Sequence, residues 1–343
     1  MKKRILFIAP KYMNLYQDII AEMERQNYEV DFIAEQGYKE DPDNVRGYVK
    51  FSKALVNEKK FTKKMEKRWI GILESDRYNK TYDYCFVLDG QSISPVLFKM
   101  LRTENPNIKI VNYLFDTTTG VYHFEKNFKF YDKVFSFDIS ESKKYNIEFL
   151  PIYWMPCDEK IARFDLFGFG AIKDDRFELF SRLEQIAKKN SMQYFLKLYN
   201  FVNVKSMLLY RIRCLVYRCL GLKNVVSARA INSSFATKDT ISPKEFRCRI
   251  SESKVVVDTA SPYQDGLTAR FMWSLGLGKK IITTNANVKN YDFFDKKQVF
   301  VYTNTVTDEQ IESFLTPEFE MTDAEKEHVA QYRLDQWLKK ILD

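Results

Sequence analysis

One stretch, residues 255–285 (VVVDTASPYQDGLTARFMWSLGLGKKIITTN), limits what this chain can fold into more than any other. A short β-branched run at 255–257 ends at Asp258. Ser261, Pro262 and Gly266 supply turn chemistry. Across 267–275 the apolar residues recur at mixed three- and four-residue spacings, which predicts a buried helix. Gly276 and Gly278 close it, with Lys279 and Lys280 at the negative end of its dipole. Ile281 and Ile282 open the next strand. Strand, polar loop, helix and strand in this order argue a parallel sheet. Such a unit has two readings. It can be an ordinary crossover, or it can bring backbone N–H groups and a positive helix N-terminus to the carboxyl edge of the sheet, where anions bind. Arg270, at or near the first turn, could add a fork of donors to a phosphate.

The rest of the chain alternates in the same way. Residues 4–9 (RILFIA) read as a buried strand, 15–26 as a helix and 29–33 as a second strand. Pro10, Lys11 and Tyr12 follow the first strand, so the glycine-rich dinucleotide fingerprint is absent. Three further strands end in Asp: 82–88 at Asp89, 108–115 at Asp116 and 133–137 at Asp138. In a parallel sheet these carboxylates share the ligand-binding edge. Helix N-capping is the competing reading, and it suits Asp138 best because a polar helix start follows. Two prolines and no periodicity mark 151–164 as a linker. A strand at 165–170 and a helix from about 176 to 190 open a second domain, with Lys173 and Arg176 at the junction. A helix at 243–253, a strand at 299–302 and helices at 308–315 and 322–342 complete the pattern.

A chain of 343 residues accommodates two domains, and 45% hydrophobic with 29% charged residues is a globular composition. Five Cys without a CxxC pair, set mostly in apolar runs, predict reduced thiols in a cytosolic compartment. Two His residues exclude a His-rich metal site and weigh against a His-dependent triad. The opening MKKRILFIAP does not read as a signal peptide, and no apolar run approaches the about 20 residues that span a bilayer. The net charge of +8 favours an anionic partner. Two basic stretches stand out. Residues 50–70 are lysine-rich and read either as a solvated helix face or as a patch for an anionic lipid or acceptor. Residues 191–223 hold six basic residues, no acidic ones and many apolar ones. They read either as core elements with outward basic stems or as an amphipathic segment for an anionic membrane surface. Nucleic acid is not an expected partner, because no known module is present and the basic residues are spread through α/β elements.

Several segments resemble the GT-B glycosyltransferases, in particular the bacterial lipopolysaccharide core and capsule biosynthesis groups (RfaS-like and CgeB-like). The resembling residues are YDKVFSFDISESKKYNIEFLP, the shorter VNYLFDTTTGVY and FGAIKDDRFELF, and above all SESKVVVDTASPYQDGLTARFMWSLGLGKKIITTN. The resemblance implies an α/β fold of two Rossmann-like domains facing a central cleft. Residues 1–155 would form the acceptor domain, joined by a returning C-terminal helix at about 323–343, and residues 160–322 the nucleotide-sugar donor domain. It implies a metal-independent glycosyltransferase, without a cofactor, moving a sugar from a nucleotide-sugar donor to a lipid-linked or surface-glycan acceptor. The enzyme would be cytoplasmic or peripheral at the inner face of the membrane. Asp89 and Asp116 would be the catalytic candidates. Lys173, Arg176, Asp265, Gly266, Leu267, Thr268 and Arg270 would bind the donor diphosphate, and the loop at Asp239 to Ile241 would border the base. The family carries two acidic residues eight positions apart. Asp265 matches the first, but Trp273 stands at the second, where the family grips the donor ribose. An indole cannot accept hydrogen bonds from ribose hydroxyls. This departure keeps open a non-catalytic sugar-nucleotide-binding or scaffold protein, and the architecture alone also admits a sugar-nucleotide epimerase.

Overall fold

The computed structural model describes residues 2–11, 14–36, 58–118, 121, 124–158, 160–201, 207–219, 226–260 and 265–343. The chain divides into two compact units: Met1–Tyr153 with Gln264–Leu267 and Gln331–Asp343, and Trp154–Tyr263 with Thr268–Ala330.

The first unit runs β1 (Arg4–Ala9), α1 (Leu15–Arg25), β2 (Glu29–Ala34), α2 (Glu58–Leu73), β3 (Tyr84–Leu88), α3 (Pro95–Glu104), β4 (Lys109–Leu114), α4 (Phe124–Phe128), β5 (Lys133–Ser136), α5 (Ile139–Tyr145) and β6 (Glu148–Phe149). The strands form one parallel sheet in the order β2-β1-β3-β4-β5-β6. The chain reverses direction across the sheet between β1 and β3, so the topological switch point lies there. Alternation along the strands sends Leu6, Ile8, Cys85 and Val87 into one core with Phe61, Met65, Trp69 and Phe98 of α2 and α3. The lysines Lys59, Lys60, Lys63, Lys64 and Lys67 of α2 are exposed, which a solvated face and an anion-facing patch both require. Residues 50–57 of the lysine-rich stretch lie outside the described residues.

The second unit runs β7 (Phe164–Ala171), α6 (Asp174–Lys189), β8 (Tyr194–Tyr199), α7 (Met207–Cys219), α8 (Ala228–Ile231), β9 (Ala236–Thr237), α9 (Pro243–Ser251), β10 (Ser253–Asp258), α10 (Ala269–Gly276), β11 (Lys280–Thr283), a 3-10 turn at Ala286–Asn290, β12 (Val299–Val301), α11 (Asp308–Leu315) and α12 (Asp323–Ala330). Its sheet is also parallel, in the order β12-β11-β10-β7-β8-β9. Numbered within the unit, this is the doubly wound order 6-5-4-1-2-3, with its switch point between β7 and β10. Leu166, Phe180, Leu183, Leu198, Val255, Val257 and Ile282 fill one face of it.

Two expectations need correction. The C-terminal helix is not continuous. It breaks at 331–333 into α12 and α13 (Leu334–Leu342), because α12 packs on α10 in the second unit whereas α13 packs in the first. Trp337 of α13 is fully buried, its ring meeting Phe86, Tyr113 and Tyr153, and its Nε1 donates to Pro151 O at 3.1 Å. Lys280 does not serve the helix it follows. It is buried, and its Nζ donates to Phe314 O and Pro317 O at the end of α11 while lying over the Phe314 ring. Burial holds its pKa below the ordinary lysine value.

Candidate functional site

In the second unit, the carboxyl ends of β7 and β10 place Gly170, Ala171, Asp258 and Thr259 at the switch point. Two guanidinium groups converge there. A Cβ added to Gly170 would stand 3.0 Å from Arg176 Nη1 and 3.5 Å from Arg270 Nη1. The missing side chain therefore leaves room for both arginines. Arg176, in the first turn of α6, is buried and donates to Ala171 O at 2.9 Å and Thr259 O at 3.2 Å, joining the ends of the two strands. Arg270, in the first turn of α10, places Nη1 3.5 Å from Val257 O and from Thr259 Oγ1, and Nε 3.8 Å from Asp258 Oδ1.

Asp258 is fully buried and organises the start of α10. Its Oδ1 accepts from Thr268 Oγ1 at 2.7 Å and its Oδ2 from Thr283 Oγ1 at 2.9 Å. Thr268 in turn N-caps α10, accepting from Phe271 N at 3.1 Å. Its single hydroxyl proton is thus directed to Asp258, and a ligand would meet its backbone rather than its hydroxyl.

The two helix starts at this edge differ. The first turn of α6 carries Asp174 and Asp175, with Lys173 at its N-cap. The first turn of α10 has no acidic residue and carries Arg270. An anion is therefore better received at α10, where the dipole and the guanidinium add and the first turn carries no carboxylate of its own; the nearby Asp258, 3.8 Å from Arg270 Nε, partly offsets that charge. Ile241 precedes Ser242, the N-cap of α9, whose Oγ accepts from Glu245 N at 3.1 Å. Trp273 lies on α10 and is buried, its ring edge-on to Phe246 at 5.9 Å and under the Arg247 guanidinium at 5.4 Å. The residue at the family's acidic position is here part of the packing between α9 and α10.

In the first unit the three strand-ending aspartates have three different roles. Asp138 caps α5, its Oδ1 accepting from Ser140 N and Glu141 N. Its Oδ2 accepts from Asp265 N at 2.7 Å and Gly266 N at 3.0 Å, and Ser140 Oγ donates to Asp265 Oδ2. One of the backbone groups expected to meet a diphosphate, Gly266 N, is therefore held by a carboxylate. Leu267, beside it, is buried. Asp89 is buried with φ 65, beside the switch point of this sheet. Its Oδ1 accepts from Phe115 N at 2.6 Å and Asp116 N at 2.9 Å. Burial pushes its pKa up to about 7, against the two N–H bonds and with help from the neighbouring Asp116 charge. Asp116 is half-buried, and its Oδ1 accepts from Thr117 N at 2.8 Å.

Glu35, just after β2, was not singled out by the sequence. It is fully buried, its Oε1 accepts from Ser92 N, and its backbone carbonyl accepts from Ser92 Oγ at 3.0 Å. Burial first, and then the Asp89 charge, raise its pKa to about 8. It holds the turn that carries Asp89. Only an acidic residue following an apolar strand could have pointed to it.

No family model matches the chain, and no curated protein matches it in sequence. Solved structures do match it in fold. AviGT4, a glycosyltransferase of avilamycin A biosynthesis, is 9% identical, with 98% of this chain and 95% of that one covered at a TM-score of 0.58. The E. coli trehalose-6-phosphate protein bound with UDP-2-fluoro glucose is 12% identical, with 98% of both chains covered at 0.56. A Listeria monocytogenes structure assigned to the UDP-N-acetylglucosamine 2-epimerases is 10% identical, with 100% and 95% covered at 0.55. The fold is accordingly GT-B, with two α/β units, each on a parallel six-stranded sheet.

Proposed function

We propose that the chain is a metal-independent glycosyltransferase that moves a sugar from a nucleotide-sugar donor to a lipid-linked or surface-glycan acceptor of the lipopolysaccharide or capsule kind, in the cytoplasm. The observation that carries the donor half is the meeting of Arg176 and Arg270 over Gly170 at a doubly wound switch point. In transfer, the bond from the sugar C1 to the diphosphate oxygen breaks and a bond from C1 to the acceptor oxygen forms. The departing diphosphate gains charge, and fixed donors aimed at it lower the barrier. Arg270 and the α10 N-terminus supply them, with Lys173 and the clamped Arg176 adding positive potential. The acceptor class rests on the sequence resemblance set out above.

The acceptor hydroxyl must lose a proton, to a carboxylate or to the leaving phosphate. Asp116 is the better placed of the two candidates, because Asp89 is buried and spends one oxygen on two backbone N–H groups. Asp89 is then a positioning residue that fixes the end of β4, where Asp116 stands.

The test is a panel of sugar nucleotides offered with glycan and lipid-linked acceptors, scored by release of nucleoside diphosphate. Acceptor-dependent release is expected, unchanged by a chelator. Interconversion of the free sugar nucleotide would replace this reading with an epimerase. Binding without turnover would leave a sugar-nucleotide-binding scaffold.

A further inference from the structure

Seven large apolar side chains stand exposed among the described residues, and five of them belong to α7: Leu208, Leu209, Ile212, Leu215 and Val216, from 47% to 69% exposed. A sixth, Phe201, precedes that helix. At about 100° per residue the five fall within an arc of about 120°. The opposite side of the helix is tied to the second unit. Cys214 is buried, and both Tyr210 Oη (2.7 Å) and Cys214 Sγ (3.5 Å) donate to Val226 O. The apolar arc therefore faces directly away from the unit that holds the helix.

The charge around the arc is of one sign. Arg211 is exposed and borders it on one side. The stretch 191–223 carries six basic residues in all. Residues 191–223 contain no Asp or Glu to offset them. An apolar strip edged by Arg211, in a stretch without acidic residues, matches the two layers of an anionic bilayer surface, acyl chains beneath and phosphate above. A second copy of the chain fits less well, because a symmetric α7–α7 contact would set arginine against arginine.

We propose that α7 is a membrane-docking helix that lies in the plane of an anionic lipid surface, burying Leu208, Leu209, Ile212, Leu215 and Val216 among the acyl chains. The inference stands on this surface alone and does not need the donor site. If the acceptor is lipid-linked, the docked helix holds the enzyme at its substrate.

The test is flotation of the full chain with vesicles of phosphatidylcholine alone and of equal parts phosphatidylcholine and phosphatidylglycerol. The chain is expected to float with the anionic vesicles and to release as salt rises. The double variant Leu209→Glu/Leu215→Glu is expected to bind roughly tenfold or more weakly with an unchanged melting temperature, since both side chains are exposed. Arg211→Gln is expected to narrow the preference for anionic over neutral vesicles. The proposal is overturned if the wild-type chain does not float, or if the double variant floats as well as wild type. It is also overturned if light scattering finds a dimer that the double variant disperses while vesicles are ignored. None of these readouts uses a donor, so the result is separate from that of the sugar-nucleotide panel.

Discussion

Thr268 Oγ1 donates to Asp258 Oδ1 across 2.7 Å, and the same oxygen accepts from Phe271 N. One hydroxyl thus links a fully buried strand-end carboxylate to the first turn of α10. The position of that helix start is fixed before any ligand arrives. Thr268→Ala removes the cap, about 1 kcal/mol, and takes one donor from a buried carboxylate, about 1–3 kcal/mol more. Thr268→Ser keeps both bonds and should stay near wild type. Chemical denaturation of the two variants checks the order. Equal loss in both would show that the methyl group, not the hydroxyl, matters.

Asp89 and Asp116 can be separated by one substitution. Asp89→Asn keeps an acceptor oxygen for Phe115 N and Asp116 N but cannot take a proton at neutral pH. A positioning role predicts that this variant keeps turnover within about tenfold of wild type. Asp116→Asn should lose turnover by about a hundredfold or more with donor affinity intact. Steady-state kinetics beside donor titration decides between them. The reverse ranking would make Asp89 the base.

Much of the fold was legible because buried parallel strands read as unbroken apolar runs. RILFIA, YCFVL and SKVVVD stand out without any partner in view. The break at 331–333 was not legible. Gln331, Tyr332 and Arg333 include neither Gly nor Pro, and the helix stops there because its two halves serve different units. The site was only half legible for a related reason. Asp89, Asp138 and Asp258 all end strands and look alike in sequence. One fixes the end of a neighbouring strand, one caps a helix and one anchors a distant threonine, and those differences lie in tertiary partners. Arg176 and Arg270, 94 positions apart, were joined only by the resemblance that gave both to a donor diphosphate; their meeting over Gly170 lies in the packing of two strand ends.

The raised carboxyls of the first unit make its stability fall with pH. Asp89 at about 7 and Glu35 at about 8 both lie above their ordinary values of 3.8 and 4.5. The folded chain therefore binds more protons than the unfolded chain between about pH 4 and pH 8. Their contribution is complete below the unfolded values and is lost as pH rises through about 7 to 8. Unfolding free energies from urea titrations should drop between about pH 4 and pH 8 and level off above, by an amount on the order of a few kcal/mol. Glu35→Gln keeps an acceptor for Ser92 N and should flatten the profile. A profile as steep in the variant as in wild type would remove Glu35 as its source.

Arg176 and Arg270 meet over the same glycine, yet they should fail differently. Arg176 is bonded to the carbonyls of Ala171 and Thr259, so Arg176→Ala unpins two strand ends and leaves buried acceptors behind. Its first effect should be on stability, by about 2 kcal/mol. Arg270 stands in a first turn without an acidic residue, makes long contacts to Val257 O and Thr259 Oγ1, and places Nε 3.8 Å from Asp258 Oδ1. Arg270→Ala should weaken donor binding by roughly 1.5–3 kcal/mol, about 10- to 150-fold. Arg270→Lys keeps the charge but not the planar fork and should fall between. Gly170→Ala pushes against both arginines at once, since its Cβ would stand 3.0 Å from Arg176 Nη1. It should lower donor affinity with less effect on melting than Arg176→Ala. Calorimetric titration with donor, paired with thermal melts, reads both axes. Wild-type donor affinity in Arg270→Ala would take that residue out of the site and leave α10 as an ordinary crossover.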